Sequence, residues 1–324
     1  MDIKLQLKQI QHWSGISQVD LAKQLEVSFV TINSWMNGKS MPRAGAVDKI
    51  QKLHTKYSGK GDSFSLNIDK NCAYIDFLIK HNRSTLSKSM ISFILKHNDI
   101  FEEFALKITY HSNSIEGSTL TMEDIADIIF NNAVIPNKTL NEHLEARNHR
   151  KALIFLFEQL ELGVGITVEF INKLHSILMA GILDTAGTYR NHPVRIVGSF
   201  VPTANHLKIP ELMGSLENKI LESCKKSKNK GAQNVRDFVV SIVEVHAIFE
   251  KIHPYADGNG RVGRLLMIAM LIKNNIPPAI ITQETKRLYY NYLSVAQIEE
   301  KYEALTSYTT DAILNGFAVL EKLD

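Results

Sequence analysis

The chain has only two cysteines in 324 residues, Cys72 and Cys224, far apart in sequence. That scarcity excludes a disulfide framework and suits two apolar fillers in a reducing compartment. Long hydrophobic runs are also lacking. The longest, Leu265–Ile272, is too short to cross a bilayer. The opening stretch Met-Asp-Ile-Lys-Leu-Gln-Leu-Lys has no apolar core of a secretory leader. The expected location is therefore cytoplasmic, with no membrane partner. An excess of one charge sign is missing too: a formal net charge of +3 is too small to argue for nucleic-acid binding by itself. Neither His-Glu-x-x-His nor paired cysteines occur, so nothing points to zinc. What remains is ordinary, 44% apolar and 22% charged. The length suits one sizeable core plus a small domain, or two to three domains.

Against that plain background, residues 246–266 stand out: His-Ala-Ile-Phe-Glu-Lys-Ile-His-Pro-Tyr-Ala-Asp-Gly-Asn-Gly-Arg-Val-Gly-Arg-Leu-Leu. The stretch reads as helix, polar loop, helix. The first helix ends near Ile252, since Pro254 and Gly258 rule out an unbroken run. The second begins around Asn259–Gly260. Its first amides lack intrahelical partners and the helix dipole adds positive potential, so its start is an anion site. Gly258 and Gly260 let the backbone approach a ligand closely. Arg261 and Arg264 are three apart, on one helical face, and guanidinium forks suit phosphate oxygens. Asp257 is a carboxylate beside that site, a conflict removed by a divalent cation bridging it to phosphate. His253, at the rim of the loop, can take a proton from an attacking hydroxyl. The residues alone imply phosphate or nucleotide chemistry with a histidine base and a metal. His246, His143 and His149 are read as packing residues on apolar helix faces.

Residues 1–57 carry a separate pattern of short helices: Ile3–His12, Gln18–Leu25 capped by Ser17, Phe29–Met36 capped by Ser28, and Ala44–Lys56. The tight turn at Glu26-Val27 makes the second and third a helix-turn-helix. Leu21, Ala22, Leu25, Val27, Ile32 and Trp35 read as its core. Tyr57–Ser65, rich in Gly and Ser, reads as a linker. Helical patterns follow at Ala73–Lys80, Leu86–Lys107, Asn141–Phe157, Thr167–Ala180, Pro210–Ser223 and Asp237–Ile252. Gly117 should end one helix and Thr121, with Asp124 at its third position, should cap the next. Alternation at Val194, Ile196 and Phe200 suggests a short hairpin.

His253-Pro-Tyr-Ala-Asp257-Gly-Asn-Gly-Arg261-Val-Gly-Arg264 resembles the signature of Fic-domain proteins, with Tyr255 where the family usually has Phe. Leu21–Pro42 resembles Cro/repressor-type helix-turn-helix domains. The first resemblance implies an all-α fold: a Fic helical core with a short β-hairpin flap. With the second, a small helix-turn-helix domain precedes that core. The expected divisions are 1–57, a linker at 58–68, N-terminal helices at 69–185, and a Fic core at 186–324 with its flap at 188–202. The implied activity is transfer of AMP from ATP to a Ser, Thr or Tyr hydroxyl of a target protein. His253 would be the base, Asp257 the Mg²⁺ ligand, and Gly258, Asn259 and Gly260 the phosphate cradle. Arg261 and Arg264 would neutralise the β- and γ-phosphates, and Tyr290 would lie near the adenine. The position of Gln297, often Asn in the family, is a departure. Ser112-x-x-x-Glu116-Gly117 resembles the inhibitory motif of one class of Fic proteins, so Glu116 would occupy Arg264 and restrain the enzyme. The flap would align the target segment by strand pairing. Ser28, Phe29, Thr31 and Asn33 would face DNA bases, Lys39 and Arg43 the phosphates, and a homodimer is the implied assembly. The signature specifies a diphosphate-containing donor more than its identity. Removal of AMP, or transfer of UMP, phosphate or phosphocholine, stays open. So does a nucleotide-sensing DNA-binding regulator.

Overall fold

The computed structural model describes residues 3–59, 63–81, 89–196, 201–226 and 231–321. Among them are fifteen α-helices and no strand. The first four are α1 (Ile3–Ser14), α2 (Gln18–Gln24), α3 (Phe29–Met36) and α4 (Ala44–Ser58). They enclose a core of Leu7, Ile10, Leu21, Leu25, Ile32, Trp35 and Ile50, with Val27 only partly buried at its edge. The expected caps form: the Ser17 hydroxyl accepts from the Asp20 amide and the Ser28 hydroxyl from the Thr31 amide.

The linker expected at 58–68 is shorter than that. Helix α5 (Ser63–His81) already runs through 63–68, because Phe64, Ile68, Cys72 and Ile75 recur at helical spacing and bury in the main core. Residues 60–62 lie outside the described set. The four-helix unit is also seated on the rest of the chain. Asn291 Nδ2 donates to the carbonyl of Tyr57 at 2.7 Å, and the Tyr292 hydroxyl to that of Lys56 at 2.9 Å. Two late side chains thus donate to carbonyls in the last turn of α4, where the Lys56 carbonyl also accepts from the Gly59 amide at 3.4 Å. Leu288 packs against both cores.

The single helix expected over Leu86–Lys107 is two, α6 (Met90–Lys96) and α7 (Asn98–Ile115), separated by His97 in an extended conformation. Residues 82–88 are outside the described set. Next come α8 (Met122–Asn131), α9 (Leu140–Glu161), α10 (Val168–Leu178), α11 (Ile209–Lys226), α12 (Ala232–Ile252), α13 (Asn259–Lys273), α14 (Lys286–Glu299) and α15 (Glu303–Leu320). Thr121 and Asp124 form the reciprocal capping box at the start of α8.

Helix α13 sits at the centre. All residues from Arg261 to Ile272 are buried, so no polar stripe runs along it. Helices α9, α10 and α12 surround it, with α6, α7 and α11 adding further contacts. Burial is what gives its N-terminus value. The two arginines of its first turns, Arg261 and Arg264, are buried with it, where charge interactions are stronger. The hairpin expected at 188–202 falls partly on residues 197–200, outside the described set. Its described arms form no strand ladder, and the Thr203 hydroxyl donates to the Val194 carbonyl between them at 2.7 Å.

Candidate active site

The loop between α12 and α13 is held from three sides. Arg190, 4% exposed, is the first brace. Its Nε donates to the His253 carbonyl at 2.7 Å, and its terminal nitrogens to the carbonyls of His192 (2.7 Å), Ala204 (2.6 Å) and Ile252 (3.3 Å). Its own amide donates to the Pro254 carbonyl at 2.9 Å. One guanidinium therefore ties the C-terminus of α12 to the start of the 188–202 segment and to Ala204 just beyond its end. A cation at a helix C-terminus is also favoured by the dipole.

His175 is the second brace. Its ring stacks on Tyr255 with centroids 3.7 Å apart and planes 4° apart. Nδ1 accepts from the Gly187 amide at 2.8 Å, so the proton sits on Nε2, which donates to the Asp257 carbonyl at 3.0 Å. That tautomer satisfies both partners only while the ring is neutral. Burial holds it so, pushing the pKa down to about 4 against the opposing Asp257 carbonyl and carboxylate.

The third brace is Asn259. Its side chain is 2% exposed, with Oδ1 accepting from the Tyr255 amide and Nδ2 donating to the Tyr255 carbonyl, both at 2.9 Å. Asn259 was expected in the phosphate cradle, and this geometry leaves that part to its backbone. Both ends of its amide are consumed in closing the loop, and only its backbone faces the anion site. The Tyr255 hydroxyl donates to Asn172 Oδ1 at 2.7 Å, a use that a phenylalanine could not make.

Within this frame His253 takes a left-handed backbone, φ 51°, as the cap of α12. Its Nδ1 lies 3.3 Å from the Glu250 carbonyl, which makes Nδ1 the donor and leaves Nε2 with a lone pair. Burial lowers its pKa, the Glu250 carbonyl opposing, so the ring is a neutral base near pH 7. Asp257 is 66% exposed on its side chain, and its Oδ1 accepts from the Gly258 amide at 2.6 Å. Gly258 has φ 78°, and a Cβ there would meet Met179 Sδ at 2.8 Å.

The two arginines are buried and partnered from a distance. Arg261 donates to Glu145 Oε1 on α9 at 2.7 Å, while its Nε has no hydrogen-bond partner among the described residues. Arg264 donates from Nε to the Ser112 hydroxyl and from a terminal nitrogen to the Ser112 carbonyl, both at 3.0 Å. The same nitrogen donates to Glu116 Oε1 at 2.7 Å, and the other terminal nitrogen has no partner. Burial works against the charge on Arg264, but the Glu116 carboxylate together with Tyr289 and Tyr290 outweighs it, and the pKa is raised. A Cβ on Gly260 would overlap Glu116 Oε1 and lie 3.1 Å from Arg264. The carboxylate therefore stands against the first turn of α13, at the position an anion would take. Two unpartnered guanidinium nitrogens beside a protein carboxylate fit a larger, more charged anion such as a triphosphate.

Of the other expected site residues, Tyr290 is 42% exposed and lies within the electrostatic reach of Glu116 and Arg264, while Tyr289 and Tyr292 are buried. Gln297 is buried and donates to the Ala247 carbonyl at 3.4 Å. His246 is buried against the Tyr289 hydroxyl, and His149 and His143 bond to Thr109 and to backbone. On α3, the Thr31 hydroxyl bonds that of Ser28, and Asn33 accepts from Asn37. Phe29 and Val30 are exposed beside them. Arg190, Glu145, Asn172 and His175 were not among the expected residues. The bonds that tie them to the site residues span 62 to 116 positions.

A helical protein with an anion site at a buried helix N-terminus and a neutral histidine at its rim is the class this geometry defines. Residues 165–271 match the model of the Fic/DOC family, and residues 10–53 match a helix-turn-helix model. The chain is 33% identical to "Protein adenylyltransferase Fic" of Nematostella vectensis over 58% of its own length and 42% of that protein's. It is 29% identical to the protein of the same name from Drosophila melanogaster, over 58% of this chain and 36% of the other. The chain thus spans about two-fifths of the length of these relatives. In fold it is similar to Fic-1 (residues 134–508) of C. elegans, with a TM-score of 0.68 at 19% identity over 94% of this chain and 97% of the other. A Fic domain containing signaling protein from Bacteroides thetaiotaomicron superposes with a TM-score of 0.65 at 21% identity, over 76% and 94%.

Proposed function

We propose that the chain is a protein adenylyltransferase that transfers AMP from ATP to a Ser, Thr or Tyr hydroxyl of a target protein, and that Glu116 restrains it. The observation that carries this reading is the Glu116 carboxylate on Arg264, set against the first turn of α13. The relatives' shared name supports the donor and the reaction.

In the reaction, neutral His253 accepts the proton of the target hydroxyl as its oxygen bonds to the α-phosphorus. The bond from that phosphorus to the β-bridging oxygen breaks, and pyrophosphate leaves. The backbone amides of Gly258, Asn259 and Gly260 hold phosphate oxygens at the helix N-terminus. Arg261 neutralises charge on the β-phosphate, and Arg264 on the γ-phosphate. Tyr290 borders the adenine. Asp257, an exposed carboxylate beside those phosphates, would hold Mg²⁺, which binds through one or two carboxylates plus phosphate oxygens and offsets their charge. Ser112 fixes the orientation of Arg264 through two bonds. While Glu116 occupies that arginine, a γ-phosphate there meets a carboxylate, so ATP is turned from its productive pose. The 188–202 segment, anchored by Arg190 to the His253 carbonyl, aligns the target chain.

ATP labelled at the α- or the γ-phosphate, incubated with the protein and lysate, tests the chemistry. Label from the α-position alone is expected. Glu116→Gly should raise self-labelling and His253→Ala abolish it. Equal labelling of the wild type and Glu116→Gly would remove the restraint, and no labelling from either nucleotide would remove the transferase reading.

The helix-turn-helix domain supports a second activity, DNA binding through the start of α3 by Ser28, Phe29, Thr31 and Asn33, with Lys39 and Arg43 on phosphates and a homodimer as the binding unit. The expected compartment is the cytoplasm. A gel shift with DNA from upstream of the chain's own coding region should show binding that weakens with salt. Salt-independent or absent binding would leave this domain a docking module.

A further inference from the structure

Against the α13 backbone at Gly263, the residue before Arg264, lies a second carboxyl group that the reaction above does not use. Glu250 is 5% exposed on α12, and its Oε1 has no hydrogen-bond partner among the described residues. One helical turn earlier, His246 is fully enclosed. Its Nε2 meets the Tyr289 hydroxyl at 2.7 Å, while its Nδ1 is also unpartnered. Both unpartnered atoms converge on Gly263. A Cβ at that glycine would overlap Glu250 Oε1 and lie 3.2 Å from His246 Nδ1. The charged and titratable groups around the Glu250 carboxyl are His246 on its own helix, Arg264 on α13, Glu116 at the C-terminal cap of α7, and Tyr289 and Tyr290 on α14. Arg264 is the only fixed cation among these five.

Arg264 is 5% exposed, and its resting countercharge is Glu116. A buried cation that loses its partner is strongly destabilised. Any state in which Glu116 has withdrawn and no phosphate has arrived therefore needs another anion nearby. Glu250, whose Oε1 lies against the adjoining Gly263 backbone, is a carboxyl group placed to supply it. At rest, burial favours the neutral acid against the pull of Arg264, and the Glu116 charge adds to burial, so Glu250 keeps its proton.

We propose that Glu250 is a positioning residue for Arg264, a reserve countercharge that ionises when Glu116 withdraws and takes its proton back when a triphosphate binds. This rests on the reading of α13 as the ATP site. The group lost and regained is one proton at the Glu250 carboxyl, exchanged with solvent, and no other bond changes.

The test is a calorimetric titration of Mg·ATP into the full-length Glu116→Gly protein at pH 8, in two buffers of different ionisation enthalpy. The two heats give the protons taken up per ATP bound. Uptake of about half a proton or more is expected. It should vanish in Glu116→Gly with Glu250→Gln, which keeps the shape of the neutral acid, and return with Glu250→Asp, which keeps an ionisable group. A merely structural role would alter affinity or melting temperature and leave the proton count alone. ATP binding with the same proton count in all three proteins overturns the proposal while leaving the transferase reading standing. Failure of Mg·ATP to bind the folded Glu116→Gly protein overturns both.

Discussion

Replacing Arg190 by lysine separates loop positioning from nucleotide binding. The wild-type side chain reaches four carbonyls at residues 192, 204, 252 and 253 with its planar fork. A lysine ammonium is a single point, so it can satisfy the 252–253 pair or the 192 and 204 arms, not both. At least two buried carbonyls lose a charged donor, each worth about 1.5–3 kcal/mol when a partner is removed. Because the contacts share one group they do not add fully, and the expected loss is about 3 kcal/mol. For a domain of this size that lowers the melting temperature by roughly 6–12 °C. The functional effect follows from the same geometry. His253 keeps its backbone cap but loses the bond to its own carbonyl, and the segment that presents the target loses its tie to it. A displacement of about 1 Å at a reacting group costs on the order of 100-fold in rate. The KM for ATP should stay within about threefold, since Arg261, Arg264 and the α13 amides are untouched. The assays are thermal melting and self-labelling kinetics in the Glu116→Gly background. Full kcat with a melting temperature within about 1 °C of the parent would refute the bracing role.

Three further outcomes can be checked. Gly260→Ala places a methyl group where Glu116 Oε1 now lies and 3.1 Å from Arg264. It should break the restraining ion pair yet leave the protein as inactive as the wild type, because the same methyl blocks phosphate; labelling at the level of Glu116→Gly would contradict this. Gly316→Ala would overlap the Pro278 carbonyl oxygen, a backbone atom, where the Ile280 amide already bonds the Ala312 carbonyl at 2.9 Å. A loss of about 3 kcal/mol or more is expected in urea unfolding, and an unchanged midpoint would refute the close packing of α15. Finally, burial holds His149, His246 and His175 at about 3, 3 and 4, far below an unfolded histidine, while it lifts Glu250 to about 8. The unfolded chain therefore takes up three histidine protons as pH falls through about 6.5, which the native state does not match, and stability drops. Glu250 opposes this, since the native state already holds its proton between pH 8 and 4.5. The balance is a loss of about 2 kcal/mol between pH 7.5 and 5.5, steepening over the next unit as the unfolded glutamate also protonates. Glu250→Gln should roughly double the early loss, and a urea midpoint equal at both pH values would exclude these assignments.

The features that could be read from the sequence are those whose physics closes within a few residues. The caps Ser17, Ser28 and Thr121 need only the amide three positions on. The α13 anion site needs two glycines, a helix start and arginines three apart, all inside seven residues. The break at His97 has no such mark, because neither proline nor glycine stands there. Phe64 and Ile68 were hidden by the glycines and serines just before them, which suggest a linker up to the point where burial overrides composition. Asn259 shows the sharper limit. An asparagine between two glycines at a helix start serves a phosphate or its own loop equally well. Only the approach of the Tyr255 amide and carbonyl decides for the loop. Glu145, Arg190 and His175 are beyond local reasoning for the same cause, since each is defined by partners more than 60 residues away. The division follows function. Groups that touch the anion must be held together by a short rigid turn, so they cluster in sequence. Apart from Asn259, groups that fix that turn in place come from elsewhere in the chain, so they scatter. A substitution in the cluster should therefore change binding or chemistry at nearly constant stability, whereas one among the scattered braces should move both together.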